Sequence, residues 1–197
     1  MDEEIYQKII SKKEFSDLPR ADVEAAYSKF DYSDSVEIEK MKSTRDLLRK
    51  MFSAFTSQKI LKLKDKSPEW ILKKHLSTKE RLPYYEEVYQ RLLFGYKNLT
   101  IFDLGAGING FSYGYFKEIG INVNYISIEA MGQLVSLVNN YFIQEKISGI
   151  SYSLSLFEKD KNVELIKKVK GPSIIFLFKA LDSLEMLKRN YSKELLL

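Results

Sequence analysis

Residues 99 to 116 read LTIFDLGAGINGFSYGYF. An apolar run from Leu99 to Leu104 has the length and texture of a buried strand. Gly105-Ala106-Gly107-Ile108-Asn109-Gly110 follows it, and helical spacing resumes from Phe111 to Ile119. Strand, glycine loop and helix in that order match G-x-G-x-x-G in the context where a nucleotide-binding loop belongs, because glycines let the backbone approach a ligand closely. Outward from this unit the pattern alternates. The spacing predicts a helix over Tyr84 to Phe94, strands over Asn124 to Ile128, Ile150 to Leu156 and Ser173 to Phe178, and helices over Gly132 to Ile143 and Asn162 to Val169. This is the order of a parallel α/β sheet. Before residue 80 the periodicity is helical throughout. It runs through Ile5, Ile9 and Ile10, then Val23, Ala26, Tyr27 and Phe30, then Met41, Leu47, Leu48, Met51, Phe52 and Phe55. Asp17 to Asp22 reads as a turn with a helix start, and Ser67-Pro68-Glu69 as a capped one. The chain therefore divides into an all-α region over 1–80 and a Rossmann-like α/β region over 81–197.

The acids beside the glycines discriminate among ligands. Asp103 stands two residues before Gly105, where its carboxylate repels a pyrophosphate but suits an amino group and a sulfonium. Glu129 ends the next strand, where two carboxylate oxygens can accept both hydroxyls of a ribose. The pair favours S-adenosylmethionine; a dinucleotide and an unoccupied structural loop remain the alternatives.

Composition bounds the rest. The 197 residues contain no cysteine and a single histidine, His75, which excludes disulfides and thiolate metal sites and leaves His75 a cap or packing role with no metal assigned. No apolar run is long enough to span a bilayer and the first residues are acidic, so the reading is a cytoplasmic protein with no membrane partner. The net charge of +4 is unevenly placed. Residues 1–39 hold five Lys/Arg against eleven Asp/Glu, and residues 40–81 hold thirteen against four, a block of about +9. Such a block attracts phosphates, which makes Lys59, Lys62, Lys64, Lys66, Lys73 and Lys74 candidate RNA contacts; a solvated helical face is the plainer reading.

Just ahead of the sheet, residues 75 to 82 read HLSTKERL. Ser77 or Thr78 is expected to cap the next helix, with Glu80 in its first turn, and Arg81 to reach the sheet edge and clamp a carboxylate. H-x-S-T-x-E-R-L before a glycine loop resembles the aminoglycoside-resistance family of 16S rRNA guanine-N7 methyltransferases. Glu4 to Lys13 with the Leu-Pro turn looks like that family's helical rRNA-binding domain. Asp103 to Gly110 is similar to its D-I-G-C-G-x-N-P loop, with Ala for Cys and Gly for Pro. Phe176 to Glu185 resembles its L-L-L-K-x-L-P-C-L-E segment, with Asp182 and Ser183 for Pro and Cys.

The resemblance implies an S-adenosylmethionine-dependent methyltransferase acting on N7 of a guanine in small-subunit rRNA, with the small ribosomal subunit as partner. A relative that binds but no longer methylates, and a methyltransferase with another substrate, are the other classes. Cofactor contacts are expected at Arg81, Asp103, Gly105, Ala106, Gly107, Glu129, Ala130, Ser155 and Phe178. The family's acid for the adenine amine aligns near Ser155, with Glu158 and Asp160 as nearby substitutes. Lys179 and Glu185 are expected to meet the target base, as a contact to O6 or a phosphate and as an acceptor from N1 or the amine. The family's sheet has seven strands, so a chain with about nineteen residues after Phe178 is expected to be a C-terminally truncated member. Its exposed edge at Ile174 to Phe178 is expected to invite self-association.

Overall fold

The computed structural model describes residues 1–31, 36–52 and 66–196. Its centre is a parallel sheet of β1 (Asn98–Leu104), β2 (Asn122–Glu129), β3 (Gly149–Ser153) and β4 (Ser173–Phe176), in the order β3-β2-β1-β4. Every residue of β1 after Asn98 is buried, which explains its unbroken apolar run: a parallel strand covered on both faces has no polar side to alternate with. The register pairs Leu104 with Ile128, Asp103 with Phe176 and Glu129 with Ser153, so the carboxyl ends of all four strands share one edge. The chain proceeds from β1 to β2 to β3 on one side and returns to place β4 on the other side of β1. A crevice opens at such a reversal.

The helices are α6 (Tyr85–Leu92), α7 (Gly114–Glu118), α8 (Gly132–Gln144), α9 (Lys159–Lys167), α10 (Leu181–Leu187) and α11 (Tyr191–Leu196) around the sheet. Before them come α1 (Glu3–Ile10), α2 (Arg20–Ser28), α3 (Glu37–Phe52), α4 (Pro68–Leu72) and α5 (Leu76–Arg81). The Asp2 carboxylate caps α1 by accepting from the Glu4 amide at 2.8 Å, and the Ser67 hydroxyl caps α4 through the Trp70 amide at 3.3 Å. One apolar cluster runs through both regions, from Ile9, Val23, Leu48 and Leu72 to Tyr89, Ile101, Tyr125 and Phe142. The helical region therefore packs directly against the sheet.

Three expectations shift. The segment after the glycine loop begins as a 3-10 turn over Asn109–Tyr113 before α7 forms. Strands β3 and β4 stop at Ser153 and Phe176, because Leu154 to Leu156 and Phe178 leave the sheet to wall the crevice or pack beside it. Ser77 and Thr78 lie inside α5 rather than at its cap, which is His75. Thr78 is fully buried, donating its hydroxyl to the Leu72 carbonyl at 2.6 Å.

Candidate functional site

A cleft of about 750 Å³, counted out to open solvent, lies at the carboxyl edge of the sheet. Its floor is the glycine loop. Gly105 and Gly107 hold φ of +67° and +54°, and the Gly105 and Ala106 amides turn back to the Ile128 carbonyl at 2.9 and 3.1 Å. A side chain at Gly105 would meet Ala180 Cβ at 2.7 Å, so the loop after β4 lies directly on the glycine loop.

Asp103 is buried beneath this floor. Its Oδ2 accepts from Asn109 Nδ2 at 2.7 Å and from the Tyr125 hydroxyl, while Oδ1 has no partner among the described residues. Burial pushes its carboxyl up to about 6, against the pull of Tyr125, Asn109 and Arg81. Glu129, also buried, accepts from the Gly107 amide at 2.8 Å through Oε2 and from the Met131 amide at 3.0 Å through Oε1. Burial raises its carboxyl and these backbone donors oppose the rise. Each oxygen keeps a second lone pair for a ligand hydroxyl.

Arg81, at the end of α5, donates from Nη1 to Ser77 Oγ at 2.6 Å and from Nη2 to Asn109 Oδ1 at 3.2 Å; its Nε has no partner among the described residues. The guanidinium carbon stands 4.9 Å from the centre of the Phe178 ring. Asn109 is the hub, a residue matched to the family's glycine loop but given no role from sequence. It receives Arg81 and, at 2.6 Å, the Tyr85 hydroxyl on Oδ1, and gives its amide hydrogens to Asp103 and Tyr125. One amide thereby fixes the cation and the acid of the cleft relative to each other.

Asp22 was missed as well. It comes from α2 and stands on the cleft wall with Ala130 and Leu156, buried, its Oδ2 without a partner among the described residues. Burial pushes its carboxyl up to about 7, with Glu129 and Glu158 raising it further and the neighbouring Ser155 hydroxyl lowering it. The signal was present: Asp22 interrupts the apolar stripe of Val23, Ala26 and Tyr27.

Of the expected cofactor residues, Arg81, Asp103, Gly105, Ala106, Gly107, Glu129, Ala130 and Phe178 all line the cleft. Ser155 does not. It is fully buried behind the wall, its Oγ accepting from the Phe157 amide at 3.0 Å and its carbonyl from Asn162 Nδ2 at 2.8 Å. Lys179 is at the rim, half-exposed, with φ of +59° and an ion pair to Glu80. Glu185 is absent from the lining and is turned to α11, where it accepts from the amides of Asn190 at 2.6 Å and Ser192 at 2.8 Å. There it anchors a helix start, and the Ser192 and Asn190 donors lower its pKa. His75 also lines the cleft, and burial lowers it to about 4, so it is neutral at physiological pH.

Among the candidate RNA contacts, Lys73 pairs with Glu69 at 2.8 Å, and the ammonium groups of Lys74 and Lys66 lie 4.3 and 5.8 Å from the Trp70 ring centre. Lys59, Lys62 and Lys64 lie outside the described residues. Among the described residues no helix is long and apolar enough to cross a membrane, and no cluster of three or more His, Asp or Glu side chains is arranged to hold a metal.

No protein-family model matches the sequence, and no curated protein matches it. Solved structures do. The 16S rRNA methyltransferase RmtF in complex with S-adenosyl-L-homocysteine superposes with a TM-score of 0.76 at 20% identity, over 100% of this chain and 77% of that one. The 16S rRNA methylase RmtB gives 0.76 at 16% identity, over 98% of this chain and 78% of that one. An rRNA methylase from Escherichia coli gives 0.77 at 16% identity with the same coverages. The chain thus shares its fold, a parallel α/β sheet preceded by an all-α region, with these structures.

Proposed function

We propose that this protein is an S-adenosylmethionine-dependent methyltransferase of small-subunit rRNA, acting on N7 of a guanine. The observation that carries the reading is the cleft's charge pattern. A buried acid, Asp103, whose Oδ1 has no partner among the described residues, sits under the glycine loop; Arg81, whose Nε likewise has none among them, lines the same cleft; and a second acid, Glu129, ends the next strand. A pyrophosphate meets repulsion at Asp103. An amino acid moiety meets complementary charge on both of its groups, its carboxylate at Arg81 and its ammonium at Asp103, and a ribose meets Glu129. RmtF was crystallised with S-adenosyl-L-homocysteine, which supports the same ligand here.

When bound, S-adenosylmethionine supplies an electrophilic methyl group on a sulfonium. Guanine N7 has an in-plane lone pair and no proton to lose, so this chain needs no general base; it has to hold and orient. Asn109 fixes Arg81 against Asp103, Phe178 flanks the guanidinium, and the loop carrying Lys179 and Ala180 closes over Gly105. Lys179 at the rim, ion-paired with Glu80, can exchange that partner for the O6 or a flanking phosphate of an entering base. The basic block over 40–81 supplies the long-range attraction for RNA.

Transfer of labelled methyl from S-adenosylmethionine to small ribosomal subunits tests the activity, and borohydride and aniline scission of the product rRNA tests the N7 position. Label in rRNA with a single scission site is the expected result. Label with no scission overturns N7, and S-adenosylhomocysteine failing to bind in calorimetry overturns the cofactor.

A further inference from the structure

We propose that Asp22, presented by the helical N-terminal region, is the adenine-selecting group of this cleft, so that the cofactor is read jointly by the helical region and the sheet. The inference rests on the cofactor reading above and specifies one end of it. The ends of β1, β2 and β3 lie side by side about 4.8 Å apart, so a ligand crossing them spans roughly 10 Å. Arg81 and Asp103 mark its amino acid end and Glu129 its ribose, which carries the base onward to the end of β3.

The β3 side offers no acid at Ser155, whose oxygen accepts from the Phe157 amide and whose hydroxyl faces Asp22. Into this place α2 brings Asp22, beside Ser155; Ala130 and Leu156 line the same cleft and are apolar side chains suited to the flat face of a base. Asp22 is 4% exposed and its Oδ2 has no hydrogen-bond partner among the described residues. A buried, unpartnered carboxylate oxygen costs stability unless a donor arrives. The exocyclic amine of adenine is such a donor. A carbonyl at the same position, as in hypoxanthine, would put two acceptors face to face and move the nearest donor one atom along the ring, to N1–H. Gly132, which leaves no room for a side chain against Asp17 Cβ at 2.8 Å, shows how closely this part of the helical region is seated on the sheet.

The test is calorimetry at pH 8 on the full chain with S-adenosylhomocysteine and S-inosylhomocysteine, which differ at the base in amine against carbonyl and in the hydrogen that N1 then carries. Wild type is expected to prefer the adenine form by about 10- to 100-fold, the worth of one charge-assisted hydrogen bond. Asp22→Asn keeps shape and volume but can turn its amide to either base, so the preference is expected to fall to within about 3-fold. Asp22→Ala is expected to lose the preference and to bind S-adenosylhomocysteine at least 10-fold more weakly. A wild-type preference retained in Asp22→Asn, or no preference in a wild type that binds S-adenosylhomocysteine, overturns the role of Asp22 and leaves the cofactor reading standing. A wild type that binds neither compound overturns both.

Discussion

Glu129 shows how a residue can be identified from its position while its full role depends on contacts. Its place at the end of a strand pointed to a ribose, which suggests a side chain dispensable without ligand. In the structure its two oxygens also hold the Gly107 and Met131 amides. Glu129→Ala is therefore expected to weaken S-adenosylhomocysteine binding by about 1.5 to 3 kcal/mol and also to destabilise the free protein by about 1 to 3 kcal/mol. Calorimetry and urea unfolding read the two effects separately, and unchanged stability would count against the loop-anchoring role. Asn109→Ala strands Arg81, Tyr85 and Asp103 at once, with an expected loss on the order of 3 kcal/mol in unfolding and weaker ligand binding. Asp22 makes a pH prediction. Its folded pKa, about 7, lies above the usual carboxylate value, so the folded state binds the proton more tightly and Asp22 lowers stability progressively from about pH 4 to pH 7. Ser155, Glu129, Glu158 and Tyr191 are the groups facing it. Asp103 acts in the same direction up to about pH 6, whereas His75, lowered to about 4, acts oppositely. The comparison that isolates Asp22 is wild type against Asp22→Asn: the melting temperature of the variant should gain on wild type as pH rises from 5 to 7 and level off above that. A constant difference would refute it.

Among the elements, the glycine loop and the loop after β4 behave as one unit. Gly105→Ala forces a side chain into Ala180 at a positive φ, with a backbone cost of about 1 to 2 kcal/mol before any movement of the neighbouring loop. S-adenosylhomocysteine affinity should fall at least tenfold. Gly114→Ala is the control: nothing lies within 4 Å of the added carbon in a helical setting, so about 0.5 to 1 kcal/mol of stabilisation is expected. Glu185→Ala should lower the melting temperature by freeing α11 while leaving cofactor affinity unchanged, since its carboxylate serves Asn190 and Ser192 rather than the cleft. A selective loss of methyl transfer with stability intact would return Glu185 to the target base. The strands were legible because a fully buried parallel strand is written as a continuous apolar run. Their ends were not: Leu154, Leu156 and Phe178 are as apolar as strand residues yet leave the sheet to line the cleft or pack beside it.

At the scale of the whole molecule the charge is divided between an acidic first segment and the basic block after it. Charge reversal at Lys62, Lys64 and Lys66 should flatten the salt dependence of binding to small ribosomal subunits and leave S-adenosylhomocysteine binding untouched. Subunit affinity measured from about 50 to 200 mM salt checks this, and an unchanged slope would assign the block to solvent. One apolar core joins the helical region to the sheet, so the cleft lining from Asp22, Arg81 and the strand ends belongs to one packed body.

The sequence by itself determined the parallel sheet, the glycine loop and the acids at Asp103 and Glu129. Each is encoded locally: an apolar run, glycines where backbone must approach, and a carboxylate at a strand's end. Arg81 was legible through its motif neighbours. Tertiary structure alone decided the rest. Asn109 became a hub because the turn after the glycines aims its amide at residues 28 and 24 positions earlier and 6 and 16 positions away on the strands. Glu185 was turned to α11, Ser155 was sealed behind the wall, and Asp22 was carried by α2 to the end of β3. Those assignments depend on which helix packs where, and packing is set by the shape of the shared core rather than by any spacing along the chain.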